Sequence, residues 1–299
     1  MKAFLQKILL FIICLYSVIV CVILLTNYQI KKHANFKLKS NINKIIIGNS
    51  QPECAYNDSL INNFKNLASS GETYFYNYQK LKPLLEQNPQ IDTVFIEFSN
   101  ANILIREDQK IWSNKYITHQ LPKYFPFVSL KDQSVLATNN PIGYQKALLM
   151  SLKTNLNRLW KNNYSYKDSI GGYWYLKRHK INAILDTLKL SKTNEITLNK
   201  KQLSTVDLEY LHKIIALCKE HHIVPYLIRS PFHPYFNGSR YETDYQQILN
   251  SQFKSIPFID FKSYPLKSEE YADLQHLNFK GSLKYSNWFN DYINLLSTH

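Results

Sequence analysis

The chain is poor in glycine, in cysteine and in acidic residues, and each shortage removes a class of function. Only seven glycines occur in 299 residues, none in a GxxxxGK[ST] frame, so no glycine-rich loop is available to cradle a nucleotide phosphate. Of four cysteines, Cys14 and Cys21 fall inside an apolar run. Cys54 and Cys218 alone specify neither a disulfide framework nor a zinc site. No set of His, Cys, Asp and Glu has metal-ligand spacing, so no metal and no other cofactor is expected. Asp and Glu total 22 against 36 Lys and Arg, a net charge of +14. The lysines are scattered and no nucleic-acid motif accompanies them, so the charge describes a solvated surface rather than a nucleic-acid site. Such a surface also suits anionic lipid headgroups or an acidic glycan. Internal repeats and low-complexity tracts are absent, and a hydrophobic content of 45% excludes disorder by composition.

What is present starts with a long apolar run. Between Lys7 and Lys31, 23 residues pass without a charge, and residues 8–25 are almost wholly apolar. About 20 such residues cross a bilayer as a helix. The run is longer than a signal-peptide core and no Ala-x-Ala site follows, so residues 1–30 read as an uncleaved transmembrane anchor. The residues preceding the two cysteines are Ile13 and Val20, where a lipoprotein signal needs a small side chain, so these cysteines are apolar filler.

After the anchor, residues 27–42 read as a polar, lysine-rich tether. Ile45-Ile46-Ile47 is a β-branched run ending at Gly48, the pattern of a buried parallel strand. Asp58 is placed to cap a helix carrying Leu60, Ile61 and Phe64. Residues 64–68 suggest a second strand. Residues 73–87 suggest a helix with Tyr74, Tyr78, Leu81 and Leu85 on one face, closed by Asn88-Pro89. Residues 93–98 form a third strand. The alternation resumes with a helix capped by Ser204 or Thr205, a strand over 223–228, a helix over 241–253, a strand over 257–261 and an amphipathic helix over 279–296. Alternating strands and helices imply a mostly five-stranded parallel sheet covered on both faces, a flavodoxin-like three-layer α/β/α sandwich. Residues 103–200 break the alternation and read as a helical insertion or lid, with helices near 143–161 and 174–190. The domain proper is expected over 43–299.

Ligands of such a sheet bind at the carboxyl ends of its strands. Ser50 follows the first strand, Asn100 the third, and Asp273 and His276 lie between the fifth strand and the last helix. Acyl chemistry at a serine oxygen explains that set. Ser50 Oγ would attack an ester carbonyl while His276 takes its proton and later returns it to the leaving alcohol. Asp273 would fix the imidazole tautomer and stabilise the imidazolium. The oxyanion donors would be the Ser50 N–H, the Gly71 N–H and the Asn100 amide. His233 and Arg229 follow the fourth strand and are candidate substrate-binding residues. Glu97 lies within a strand and reads as structural.

These segments resemble the SGNH (GDSL-type) hydrolase superfamily, whose blocks supply Ser, Gly, Asn and His. Ile-Ile-Ile-Gly48-Asn49-Ser50 resembles its first block. Asn66-x4-Gly71-x-Thr73 is similar to its second and Asp273-x-x-His276-Leu277-Asn278-x-x-Gly281 to its last. The third block departs from Gly-x-Asn-Asp: Phe98-Ser99-Asn100-Ala101 makes Asn100 the equivalent donor, with Asn102 as the fallback, and Asn49 stands where the family has Asp. With its anchor, the chain looks like the SGNH-like partners of membrane-bound O-acyltransferases. That resemblance implies a membrane-anchored serine O-acyltransferase or esterase working on acyl esters of a cell-envelope polysaccharide, with a membrane acyltransferase as a possible partner. The competing expectation is a non-catalytic SGNH-fold protein that binds glycan or that partner. A single anchor ahead of such a domain usually delivers it outward, so the body is expected to face the periplasm or exterior. The lysines at 31, 32, 37 and 39, counted alone, favour the opposite side.

Overall fold

The computed structural model describes residues 1–178, 180–187 and 196–296. Eleven α-helices and five strands occur among them: α1 Lys2–His33, β1 Lys44–Ile47, α2 Ser50–Ala55, β2 Phe64–Asn66, α3 Tyr74–Gln87, β3 Thr93–Glu97, α4 Ile105–Trp112, α5 Asn114–Tyr124, α6 Leu130–Asn139, α7 Pro141–Trp160, α8 Ile181–Thr187, α9 Val206–Glu220, β4 Val224–Arg229, α10 Glu242–Gln252, β5 Phe258–Asp260 and α11 Phe279–Leu296. The strands form one sheet in the order β2-β1-β3-β4-β5, parallel throughout. This is a three-layer α/β/α fold with the doubly wound order that reverses beside β1.

The sheet is apolar on both faces because both are covered. Ile45, Ile46 and Ile47 are each fully buried, as a central parallel strand requires. One face packs Ile46, Phe64, Phe95 and Ile228 against Tyr285, Phe289 and Ile293, which recur every four residues along α11. Each such side chain contributes about 1.5–3 kcal/mol by leaving water. The rings meet mostly edge to face: Phe95 and Phe289 have centroids 5.6 Å apart at 71°. Elsewhere α3 packs on α9, and α9 against β4.

The chain divides into two compact units, Met1–Asn35 with Trp112–Tyr166, and Phe36–Ile111 with Lys167–His299. The expected insertion over 103–200 is therefore not one piece. Its middle belongs with the anchor, while 103–111 and the described residues from 167 onward belong to the sheet unit. In the first unit, α1 is one N-terminal helix long and apolar enough to cross a membrane.

Several sequence expectations need correction. The expected helix behind Asp58 is absent: residues 57–63 are turns, with Asn63 at φ 55°. The helix lies earlier, at Ser50, because Asn49 caps it by accepting the Gln51 N–H at 2.9 Å. Asp58 instead accepts the Asn66 N–H at 3.1 Å, and Phe64 enters the core as the first residue of β2. Helix α9 is capped by neither the Ser204 nor the Thr205 side chain. The buried carboxylate of Asp108 accepts the N–H groups of Thr205, Val206 and Asp207 at 2.8–3.2 Å, supplying from α4 the negative charge a helix N-terminus favours. Residues 31–42 are not a loose tether. The helix continues to His33, and Phe36, fully buried, has its N–H on Gln87 Oε1 and its carbonyl on Asn88 Nδ2. The helix expected over 174–190 begins only at Ile181, and residues 188–190 lie outside the described residues.

Candidate active site

The nucleophile position is built by a sharp strand-to-helix turn. β1 ends at Ile47, Gly48 adopts φ +150°, and a Cβ there would sit 2.6 Å from the Glu97 Cβ and 2.9 Å from Pro52 Cγ. Only glycine lets the chain turn so close to β3. Ser50 then opens α2, where the first N–H groups have no intrahelical acceptor. Asn66 holds this helix in place: its Nδ2 donates to the carbonyls of Pro52 and Tyr56, both at 2.8 Å. The two segments following β1 and β2 run side by side, with the Ser69 N–H on the Gly48 carbonyl at 3.1 Å. That pairing fixes the segment leading to the Gly71 turn, at φ +73°, against the end of β1.

From the far end of the chain, Ala272 and His276 close a tight loop (Ala272 N–H to His276 C=O, 2.8 Å). Inside it the Asp273 carboxylate accepts the N–H groups of Gln275 and His276 at 2.9 and 3.0 Å and faces His276 Nδ1 at 2.8 Å. The other ring nitrogen, Nε2, is 2.8 Å from Ser50 Oγ. With Nδ1–H directed at a carboxylate, Nε2 is the unprotonated nitrogen, and Ser50 donates to it. Burial on its own would raise the Asp273 pKa. Hydrogen bonding and the charge of His276, the Gln275 N–H and the Arg178 guanidinium outweigh it and hold the carboxyl at about 2. Arg178 forms an ion pair with the second carboxylate oxygen.

Sequence reasoning missed Arg178, which lies in the stretch without periodicity. Its segment is fixed by backbone hydrogen bonds, Gly172 N–H to Ala68 C=O at 3.1 Å, Trp174 N–H to Glu53 C=O at 2.8 Å and Lys180 N–H to Ala272 C=O at 3.0 Å. It thereby borders an open cleft of about 530 Å³ lined by Glu53, Ser70, Asp168, Gly171, Gly172, Tyr173 and Trp174. Glu53 lies one helical turn beyond Ser50, and Ser70 immediately precedes Gly71. Beneath the Gly71 turn is a fully buried ion pair, Lys80 with Glu72, in which Lys80 Nζ also donates to the carbonyls of Leu67 and Ile170 at 2.5 and 3.0 Å.

Three expected site residues are committed elsewhere. Asn100 is fully buried with both amide ends engaged, Nδ2 donating to Glu242 Oε2 and Oδ1 accepting from Arg229 Nη1, each at 2.9 Å. One N–H of its Nδ2 is thereby fixed on Glu242, and the whole side chain is closed off from solvent. The fallback, Asn102, has its Oδ1 fixed by the Ser99 N–H at 2.8 Å and lies 3.0 Å from Ser99 Oγ, while its Nδ2 meets no acceptor among the described residues. Ser99 Oγ is also 2.9 Å from the side chain of Gln51, the neighbour of Ser50. Arg229, expected to bind substrate, is fully buried and ties β4 to β5 through Asp260 and to α10 through Glu242. Its register partner on β5 is Asp260, so the charge is satisfied within the sheet edge. Burial would raise the Glu242 carboxyl, but its hydrogen bonds from Arg229, Gln246, Asn100 and Lys262 bring it down to about 2. His233 packs behind the Asp273 loop: its N–H reaches the Leu274 carbonyl at 3.0 Å, Nδ1 accepts from the Tyr235 N–H at 3.3 Å, and Nε2 is 3.4 Å from Ser268 Oγ. Neither ring nitrogen remains for a substrate, and burial lowers its pKa.

Glu97 is structural as expected, with an added property. Fully buried under the Gly48 turn, its carboxyl is pushed up to about 8 by burial, against the lowering effect of the Ser230 hydroxyl at 2.5 Å and the Ser230 N–H. A family model that carries no functional description matches residues 162–297, a stretch that includes Arg178, Asp273 and His276 but not Ser50 or Gly71. No curated protein matches the chain.

Proposed function

We propose that the protein is a membrane-anchored serine esterase or O-acyltransferase of SGNH type, acting on acyl esters of a cell-envelope polysaccharide. The observation that carries this reading is the unbroken relay from Ser50 Oγ through His276 to Asp273, with each contact at 2.8 Å. Ser50 Oγ attacks the ester carbonyl carbon as its proton passes to His276 Nε2. The carbonyl oxygen becomes an oxyanion received by the Ser50 N–H, the Gly71 N–H and Asn102 Nδ2. Asn102 replaces Asn100 in this role because its donor is uncommitted. Collapse of the tetrahedral intermediate breaks the ester C–O bond, and His276 returns the proton to the leaving alkoxide. An acceptor hydroxyl, from water or sugar, then gives its proton to His276 and attacks the acyl carbon, and collapse of that intermediate breaks the bond to Ser50 Oγ, which takes the proton back from His276. Asp273 stays ionised throughout and stabilises the imidazolium.

The cleft lined by Trp174 and by Glu53, one helical turn along α2 from Ser50, supplies a ring to stack on and a carboxylate to accept hydroxyl hydrogen bonds, features that fit a sugar alcohol. The apolar helix α1 supports attachment to a membrane, and on the expected outward orientation the site meets envelope glycan. The Asn49 departure from the family's Asp does not disable the turn, since Asn49 caps α2. Ser50→Ala in the full chain should abolish labelling by a fluorophosphonate probe and all acyl-ester turnover. Undiminished turnover in that variant would refute the assignment.

A further inference from the structure

In the unit that contains the anchor, helix α7 has two opposite faces. Gly143, Ala147, Ser151 and Asn155, at four-residue spacing, are buried. The other face carries Ile142, Leu149, Leu156 and Trp160, which are 80%, 58%, 47% and 91% exposed. At 100° per residue these four fall within about 40° of one another, and Lys146 and Lys153, both exposed, flank the stripe. An exposed apolar stripe of this size on one helix face implies a covering partner.

The position of α7 identifies that partner. Helix α7 packs along α1, whose buried residues are Ile23, Thr26 and Ile30. Asn155 donates to Asn27 at 2.6 Å, and Tyr144, the same number of residues back along α7 as Tyr16 is along α1, lies in electrostatic reach of Tyr16. The two helices therefore run in the same direction, and α7 passes from beside the apolar run to just beyond its end at Leu25. The charge of the segment agrees with an acidic surface. Residues 112–166 carry six lysines and one arginine against a single acidic residue, Asp132. Tryptophan at the end of a span and lysine stems reaching outward are the features of a membrane interface.

We propose that the exposed face of α7 is a lipid-contacting surface: Ile142, Leu149 and Leu156 enter the bilayer beside α1, Trp160 sits at headgroup level, and Lys153, level with the end of the apolar run, reaches anionic headgroups. This rests on the membrane-anchor part of the functional reading, but not on the catalytic part. The helical segment 112–166 is then a membrane-lying collar on the anchor.

Site-directed spin labelling of the full chain in phosphatidylglycerol-containing nanodiscs tests this. Labels at Leu149→Cys and Leu156→Cys are placed in a Cys14→Ala, Cys21→Ala background, since Cys54 and Cys218 are buried. Native Cys21, labelled alone in a Cys14→Ala chain, reports on the anchor. Oxygen collisions several-fold more frequent than those of a water-soluble nickel chelate at 149 and 156 are expected, as for Cys21. Nickel-accessible labels at 149 and 156 beside a lipid-protected Cys21 would overturn the surface while leaving the anchor intact. Labels shielded from both reagents would also overturn it, because protein, and not lipid, would cover the face. A nickel-accessible Cys21 would remove the anchor itself, and this inference with it. Replacing phosphatidylglycerol by phosphatidylcholine should lower the oxygen-to-nickel ratio at both α7 sites, and an unchanged ratio would overturn the role given to Lys153.

Discussion

Asp273→Asn isolates the electrostatic part of the proposed mechanism. His276 becomes a cation in each transition state, and its Nδ1 is 2.8 Å from a carboxylate oxygen. At an effective dielectric constant of about 20, that contact is worth roughly 6 kcal/mol to the imidazolium. The Arg178 guanidinium sits on the same carboxylate and offsets part of this, leaving about 4–5.5 kcal/mol, or three to four decades in rate. The asparagine would also present an amide to Nδ1 and favour the wrong tautomer, with the proton on Nε2, where it cannot accept from Ser50. In the assay, p-nitrophenyl acetate turnover and fluorophosphonate labelling by the purified full chain in detergent should fall together by about 10³–10⁴. Removal of the guanidinium, in Arg178→Ala, leaves the acceptor in place and lifts an offset of about 0.5–2 kcal/mol, so both rates should hold or rise, by up to roughly 30-fold. A loss of less than tenfold in Asp273→Asn would show that the carboxylate does not reach the developing charge, and the relay would have to be abandoned.

Three further outcomes follow from the geometry. Asn102→Ala should lower kcat by roughly 10²–10³, with a modest fall in melting temperature from the Ser99 N–H it leaves unpaired, while Asn100→Ala should lower the melting temperature by removing its bonds to Arg229 and Glu242 and leave kcat within a few fold. The reverse pattern would restore Asn100 as the oxyanion donor. Glu97 is protonated in the folded protein up to about pH 8 against an ordinary value of 4.5. The folded state therefore binds more protons than the unfolded state between those values, and this contribution to stability is complete below about pH 4.5 and lost as the pH rises towards 8. Glu97→Gln should flatten the fall of melting temperature over that window, and a parallel curve would show that Glu97 is already ionised. Lys80→Met should cost on the order of 3–5 kcal/mol by stranding the Glu72 carboxylate in a dry site, with much of the loss recovered by adding Glu72→Gln. Thermal unfolding of both variants decides it.

Much of the sheet was legible because its signals are local. The β-branched run at 45–47 and the aromatic repeat of α11 each state their own burial, and α11 has the expected bounds. Ser50, His276 and Asp273 were legible because each follows or precedes a strand or helix whose ends the sequence marks. Asn100 was not separable from Asn102 in this way. Two asparagines two residues apart look alike until Arg229 and Glu242 arrive from β4 and α10 to occupy one of them. The cap of α9 was misassigned for the same reason, since Asp108 reaches Thr205 from 97 positions away. Arg178 lies in a stretch whose placement comes from backbone bonds to Glu53 and Ala272, contacts that no periodicity encodes.

The sequence by itself determined the alternation of elements, the parallel sheet, the apolar N-terminal helix and the three residues, Ser50, His276 and Asp273, that hydrogen-bond in a row, because hydrophobic periodicity and turn chemistry act over a few neighbours. Only the tertiary structure decided which polar groups are committed. Arg229, His233 and Asn100 are satisfied by partners from other elements, whereas Asn102 Nδ2 meets no acceptor among the described residues, and hydrogen-bond satisfaction is a property of the packed chain.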